Sequence, residues 1–137
     1  LSYLLDTNVI SELRKRERGD VGVVRWAASV DPAALFTSVL VIGEIRRGIE
    51  LKRRSDPAQA VALESWLEQI RIGLGARILP VDERVADAWG RLGVPDPLPA
   101  TDGLIAATAL VHGLTVITRN VGDLGRAGVK TLNPFGA

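Results

Sequence analysis

A chain of 137 residues with 47% hydrophobic and 24% charged side chains can build one core without staples, and a single domain over residues 1–137 is expected. It holds no cysteine, which excludes disulfides, thiolate zinc sites, iron–sulfur clusters and cysteine nucleophiles and suits a reducing, cytoplasmic setting. With 17 basic and 16 acidic residues the net charge is +1, so no large positive excess announces a nucleic-acid binder; the basic runs Arg14-Lys15-Arg16, Arg46-Arg47 and Lys52-Arg53-Arg54 say more than the total.

In chain order, Ser2 to Leu5 predicts a short strand, closed by Asp6-Thr7-Asn8, whose polar side chains suit the start of a helix. Val9 to Lys15 reads as a brief helix and Asp20 to Val30 as another. Ala34 to Thr37 is a second apolar run and an expected strand. From Ser38 to about Arg54, apolar residues recur at Val41, Ile42, Ile45, Ile49 and Leu51, close to the helical period. Asp56-Pro57 sets a capping residue before a proline that only a first turn tolerates. It predicts a long helix to about Leu74 with Val61, Trp66, Leu67 and Ile70 facing inward. Ala76 to Val81 reads as a third strand, and Asp82 as the cap of a helix to about Leu92. Prolines and a glycine between Gly93 and Pro99 make a loop. Thr101 to His112 is helical, Leu114 to Thr118 is a β-branched fourth strand, and Val129 to Leu132 is a last strand before Asn133-Pro134. Trp26, Trp66 and Trp89 lie in amphipathic helices and are read as core or interface residues rather than base-stacking platforms.

No membrane segment is expected. Leu1 to Leu5 is far too short for a leader peptide, and Asp6 interrupts it. The richest apolar region, residues 103–118, contains His112 and two glycines and falls short of the ~20 residues that a spanning helix needs.

The strands carry unbroken apolar runs, the pattern of a mostly parallel sheet covered on both faces, and so predict an α/β chain with helices above and below. Ligands of such sheets bind beyond the carboxyl ends of the strands. Asp6 follows the first strand there, Arg119 and Asn120 follow the fourth, Glu44 lies early in the helix after the second, and Asp102 opens the helix before the fourth. Each has an ordinary reading as well. Asp6 and Asp102 suit helix caps, and Glu44 suits a pair with Arg47. Together they favour another. Carboxylates converging in a cleft repel one another and resist desolvation, so either protons are shared or a divalent cation joins them. Oxygen ligands without His or Cys select Mg²⁺ or Mn²⁺, and such an ion suits phosphodiester hydrolysis. His112, the one histidine, sits on an apolar helix end and is read as packed or capping. No Walker loop and no GxSxG elbow occurs, and Gly73-Leu74-Gly75 follows a helix, the wrong context for a dinucleotide turn.

Four stretches, in order, resemble one family. Leu4 to Glu12, with its Leu-Leu-Asp-Thr-Asn-Val-Ile-Ser-Glu wording, is similar to the opening signature of bacterial PIN domains, the toxin half of VapBC-type pairs. Glu44-Ile45-Arg46-Arg47-Gly48 resembles the second motif and Ala100 to Ala107 the third. Val116 to Asn120 with Asp123-Leu124 resembles the fourth, and Asn133-Pro134-Phe135 the usual ending. The opening wording and Arg77-Ile78-Leu79-Pro80 lean towards a FitB-like branch.

The resemblance implies a Rossmann-like three-layer α/β/α fold and Mg²⁺-dependent (or Mn²⁺-dependent) endoribonuclease activity on RNA. It also implies a homodimer, inhibited by a small VapB- or FitA-like antitoxin that blocks the site and binds DNA. Asp6, Glu44 and Asp102 become the expected catalytic and metal-holding acids, and Asp123 a further ligand. Many relatives carry a fourth acid where this chain has Asn120, which supplies an oxygen but no charge. Thr7, Asn8, Thr118 and Asn120 are candidates to orient those acids or a water. Arg46, Arg47 and Arg119 are candidates to meet RNA phosphate or an acidic group of the antitoxin. Two other readings stay open: a non-catalytic RNA-binding or complex-forming module of the same fold, and a phosphatase of small molecules.

Overall fold

The computed structural model describes residues 1–136. Its centre is a parallel five-stranded sheet in the order β3-β2-β1-β4-β5. The strands are β1 (Tyr3–Leu5), β2 (Leu35–Ser38), β3 (Ile78–Leu79), β4 (Thr115–Ile117) and β5 (Thr131–Leu132). Around them lie α1 (Thr7–Leu13), α2 (Val21–Ser29), α3 (Val39–Ser55), α4 (Pro57–Leu74), α5 (Glu83–Leu92), α6 (Ala100–His112) and α7 (Val121–Gly125). The arrangement is the expected three-layer α/β/α fold.

Local chemistry sets where the helices begin. Asp6, Asp20, Ser38, Asp56 and Asp82 each accept a first-turn backbone N–H of the helix that follows, a contribution of about 1 kcal/mol per cap. α6 stops at Gly113, whose φ of 67° lies in the left-handed region that glycine adopts without a Cβ penalty. Gly103 allows a close approach. A Cβ there would stand 3.0 Å from the Trp89 ring, so a larger residue would make that ring give way by a few tenths of an ångström.

Leu4, Leu5, Val116 and Ile117 from the strands pack with Ile45, Ile49, Leu67, Ile105, Ala106 and Ala109 from the helices. Each large aliphatic side chain so buried stabilises the fold by roughly 1.5–3 kcal/mol. α4 meets this core through Ala60, Leu63, Leu67 and Ile70. Val61, expected inside, is 61% exposed, because the stripe that continues from Leu67 at helical spacing passes through position 60. The third strand is shorter than the expected Ala76 to Val81. Gly75–Arg77 form a 3-10 turn, held where Arg77 donates to the carbonyls of Pro32, Leu35 and Gly73 at 2.7, 2.7 and 3.0 Å. The last strand likewise begins at Thr131 rather than Val129. His112 packs and does not cap: its Nε2 is buried with no hydrogen-bond partner among the described residues. No helix among those described is long and apolar enough to cross a membrane.

Sheet order decides where a site can form. The chain builds outwards from β1 through β2 to β3, then crosses to β4 on the other side of β1. Successive connections therefore leave the β1 and β4 ends in opposite directions and open a crevice between them, the place where open α/β sheets take ligands. Asp6 lies there, its N–H donating to the carbonyl of Ile117 at 3.0 Å.

Candidate active site

Asp6 is the floor of the crevice. It follows β1, is only 7% exposed, and both of its carboxylate oxygens are held. Oδ1 accepts from the Thr7 N–H at 2.8 Å, and Oδ2 accepts from the Thr118 hydroxyl at 2.7 Å and more weakly from the Asn8 amide at 3.4 Å. Thr118 is fully buried at the end of β4, and its oxygen accepts from the Asn120 N–H at 2.9 Å. Asn8 closes the circuit by accepting from the Arg119 N–H at 3.1 Å. The polar residues past β1 and β4 thus form one network that fixes Asp6 without neutralising it.

Glu44 reaches the network from α3. Its Oε1 accepts from the Thr7 hydroxyl at 2.6 Å, so the two do not pair as Glu44 and Arg47 would on the helix surface. Asp102 comes from the first turn of α6, and its Oδ2 accepts from the Asn120 side-chain amide at 3.4 Å. Burial pushes the Asp102 carboxyl above the ordinary aspartate range, and the charges of Asp6, Asp123 and Glu44 push it further, against the hydrogen bond from Asn120. Hydrogen bonds link Asp6 to Glu44 through Thr7, and to Asp102 through Thr118 and Asn120, so three acids from separate elements line one crevice. Among the described residues none of Asp6, Glu44 and Asp102 forms an ion pair, and Asp123 meets Arg126 at 3.4 Å.

A hard cation fits this donor set, which offers carboxylate and hydroxyl oxygens and no sulfur or imidazole. Among the described residues, no three carboxylates stand close enough to enclose an ion by themselves.

The arginines divide. Arg46 donates to Glu64 at 2.8 Å and to Glu50 at 3.4 Å, so its guanidinium belongs to the α3–α4 seam. Arg119 is exposed and stacks on Phe135, with Cζ 4.0 Å from the ring centroid. Arg47 is exposed and unpaired among the described residues. Two supports escaped sequence reasoning. Thr37, fully buried in β2, donates its hydroxyl to the carbonyl of Leu5 at 2.8 Å and steadies the residue before Asp6. Asp20 caps α2 and also accepts from the Gly136 N–H at 3.0 Å, docking the C-terminal segment beside Arg119. A buried threonine at a strand end is a readable signal for the first; contacts spanning nearly the whole chain left none for the second.

A family model described as PIN domain matches residues 3–128. The chain belongs to the PIN domain family. Toxin FitB of Neisseria gonorrhoeae is 38% identical over 138 residues, covering 96% of this chain and 97% of that protein. VapC ribonuclease Y4jK of Sinorhizobium fredii is 32% identical, covering 96% of each. Among solved structures, FitAcB from Neisseria gonorrhoeae superposes with a TM-score of 0.87 at 37% identity, covering 96% of this chain and 97% of that one. This PIN domain therefore shares its fold with FitAcB over nearly the whole length of both chains.

Proposed function

We propose that this PIN domain is an endoribonuclease toxin that hydrolyses RNA phosphodiester bonds with Mg²⁺ or Mn²⁺. The reading is supported by full-length relatives named as a toxin and as a ribonuclease. The observation that carries it is the Asp6–Glu44–Asp102 cleft, in which none of the three acids forms an ion pair among the described residues and burial and neighbouring acids push Asp102 up. Asp6 and Asp102 would hold the cation, with Asp123 as a further ligand through water. Once bound, the cation would neutralise the acids and polarise the scissile phosphoryl group. Glu44, whose Oε2 has no partner among the described residues, takes a proton from the attacking water. That water forms the new bond to phosphorus as the ribose oxygen leaves. Thr7, Asn8, Thr118 and Asn120 keep the carboxylates in place.

The partner we propose is a small FitA- or VapB-like antitoxin that blocks the cleft and binds DNA. Its support is a solved FitAB structure bound to a DNA fragment, 35% identical and with a TM-score of 0.87. We also propose that the 137 residues act as one domain and pair as a homodimer. Val61 and Ile72 stand exposed on α4, and sedimentation at micromolar concentration checks the pairing. Asn120, in place of an acid, favours one second reading, a non-catalytic RNA-binding module; growth inhibition retained by Asp6→Asn would select it. Cleavage of RNA with Mg²⁺ or Mn²⁺, absent in folded Asp6→Asn and Asp102→Asn proteins, is the outcome expected of the ribonuclease.

A further inference from the structure

Two adjoining troughs lead away from the carboxylate cleft along α1, α3 and α4. The first, of about 420 Å³, has Thr7 and Glu44 in its wall and also reaches Gln59 and Trp66. The second, of about 240 Å³, shares Arg14, Gln59, Leu63 and Trp66 with the first and extends to Arg16 and Gln69. They make one path that includes a wall of the cleft.

Its charge is one-sided. Arg14, Lys52 and Arg16 line the path, and Glu44 is the one carboxylate among its lining residues. None of these three cations forms an ion pair among the described residues, so their charge is uncancelled along the path. An unpaired cationic row that runs into a phosphodiester-cleaving cleft fits a polyanion.

Aromatic geometry narrows the occupant. The Arg14 guanidinium lies over the Trp66 ring with Cζ 5.9 Å from the centroid, against 4.0 Å for the closed stack of Arg119 on Phe135. A base held between two planar groups needs about 6.8 Å, twice the stacking repeat, so a small swing of exposed Arg14 would admit one. The Gln59 and Gln69 side chains line the same path and carry amides able to meet base edges, which only unpaired strands present freely. Arg16, at the far end, has φ 55°, a left-handed conformation that suits glycine. Strain of that kind gathers where function keeps a side chain.

We propose that this path is the track for a single-stranded stretch of the RNA substrate, with one base between Trp66 and Arg14 and backbone phosphates on Lys52 and Arg16. The assignment rests on the ribonuclease reading and moves substrate contact from Arg46, which the α3–α4 seam holds, to the segment after α1, Lys52 near the end of α3 and Trp66 in α4. The test uses the whole chain in EDTA with a fluorescent single-stranded RNA of about 12 nucleotides, read by anisotropy across a salt series. The Arg16→Gln/Lys52→Gln protein should lose about 1.4 from the slope of log affinity against log salt, at 0.7 per phosphate contact. Trp66→Ala should bind roughly tenfold more weakly, and Trp66→Phe should keep most of the affinity while losing the tryptophan quenching that RNA causes in wild type. Arg16→Gly should melt no lower than wild type yet bind less RNA, a pairing that a purely structural arginine would not give.

Unchanged salt slope and unchanged quenching in these variants would overturn the track. So would absence of RNA binding by wild type, or RNA binding that stays intact while the variants escape neutralisation by a FitA-like antitoxin. Cleavage of RNA by wild type with Mn²⁺ separates the two levels. If cleavage is present and the variants behave as wild type, only the track fails; if cleavage is absent, the ribonuclease reading fails.

Discussion

Glu50 and Glu64 on the α3–α4 seam lie between Arg46 and Arg53 at 2.8–3.4 Å, whereas Asp6, Glu44 and Asp102 in the cleft are held by hydroxyl and amide groups alone. Hydrogen bonds from Arg53, then from Arg46, hold the seam carboxyls below their usual range, and the same contacts push both guanidiniums up. In the cleft, burial and neighbouring negative charge push Asp102 the other way. The seam is electrically complete, and the cleft lacks one positive partner. Acids that a fold positions carefully and leaves uncancelled mark a place where a ligand supplies the charge.

The difference can be broken from either side. Asp6→Asn should lower Mn²⁺-dependent RNA cleavage by roughly 10²- to 10⁴-fold, the range for a positioned carboxylate, while Glu64→Gln should stay within about twofold of wild type; equal losses in initial-rate assays would erase the distinction. Thr118→Val removes a fully buried hydroxyl that serves both Asp6 and Asn120. It should cost about 1–3 kcal/mol in urea unfolding because two polar groups lose their partner. Asp102→Asn should raise Tm at neutral pH, because a half-buried carboxylate among other acids no longer has to ionise.

The signs of the pH effects are opposite. The raised Asp102 carboxyl favours the protonated form in the fold, so wild type and Asp102→Asn should melt alike below the ordinary aspartate value of 3.8 and diverge as pH rises through the folded value. Added Mn²⁺ should then raise Tm for wild type only. Glu64→Gln gives the smallest effect. Exposed pairs stabilise little, and a Tm loss under about 2 °C is expected. That loss should be present above the ordinary glutamate value of 4.5 and vanish as pH falls through the depressed folded value.

Much of this was legible because it is local. Asp6, Ser38, Asp56 and Asp82 announce helix starts through their own side chains, and the unbroken apolar runs of β1 and β4 announce a doubly covered sheet. Acids past strand ends then followed from topology alone. What the sequence left unread depended on partners far along the chain. Arg46 suits phosphate by its chemistry, and no local pattern announced its pairing with Glu64, 18 residues on. β3 was overdrawn because Arg77 ties the preceding turn to carbonyls 42 and 45 residues earlier. Trp89, expected in a core or interface, is 41% exposed in the single chain, and its ring edge lies against Gly103, a contact no periodicity in α5 encodes.

Carboxyl-detected NMR titration of Asp102, with and without Mg²⁺, reads the missing charge at its source. Without metal the carboxyl should titrate above the normal aspartate range, and saturating Mg²⁺ should bring it down. A titration in the ordinary range that ignores the metal would contradict the account.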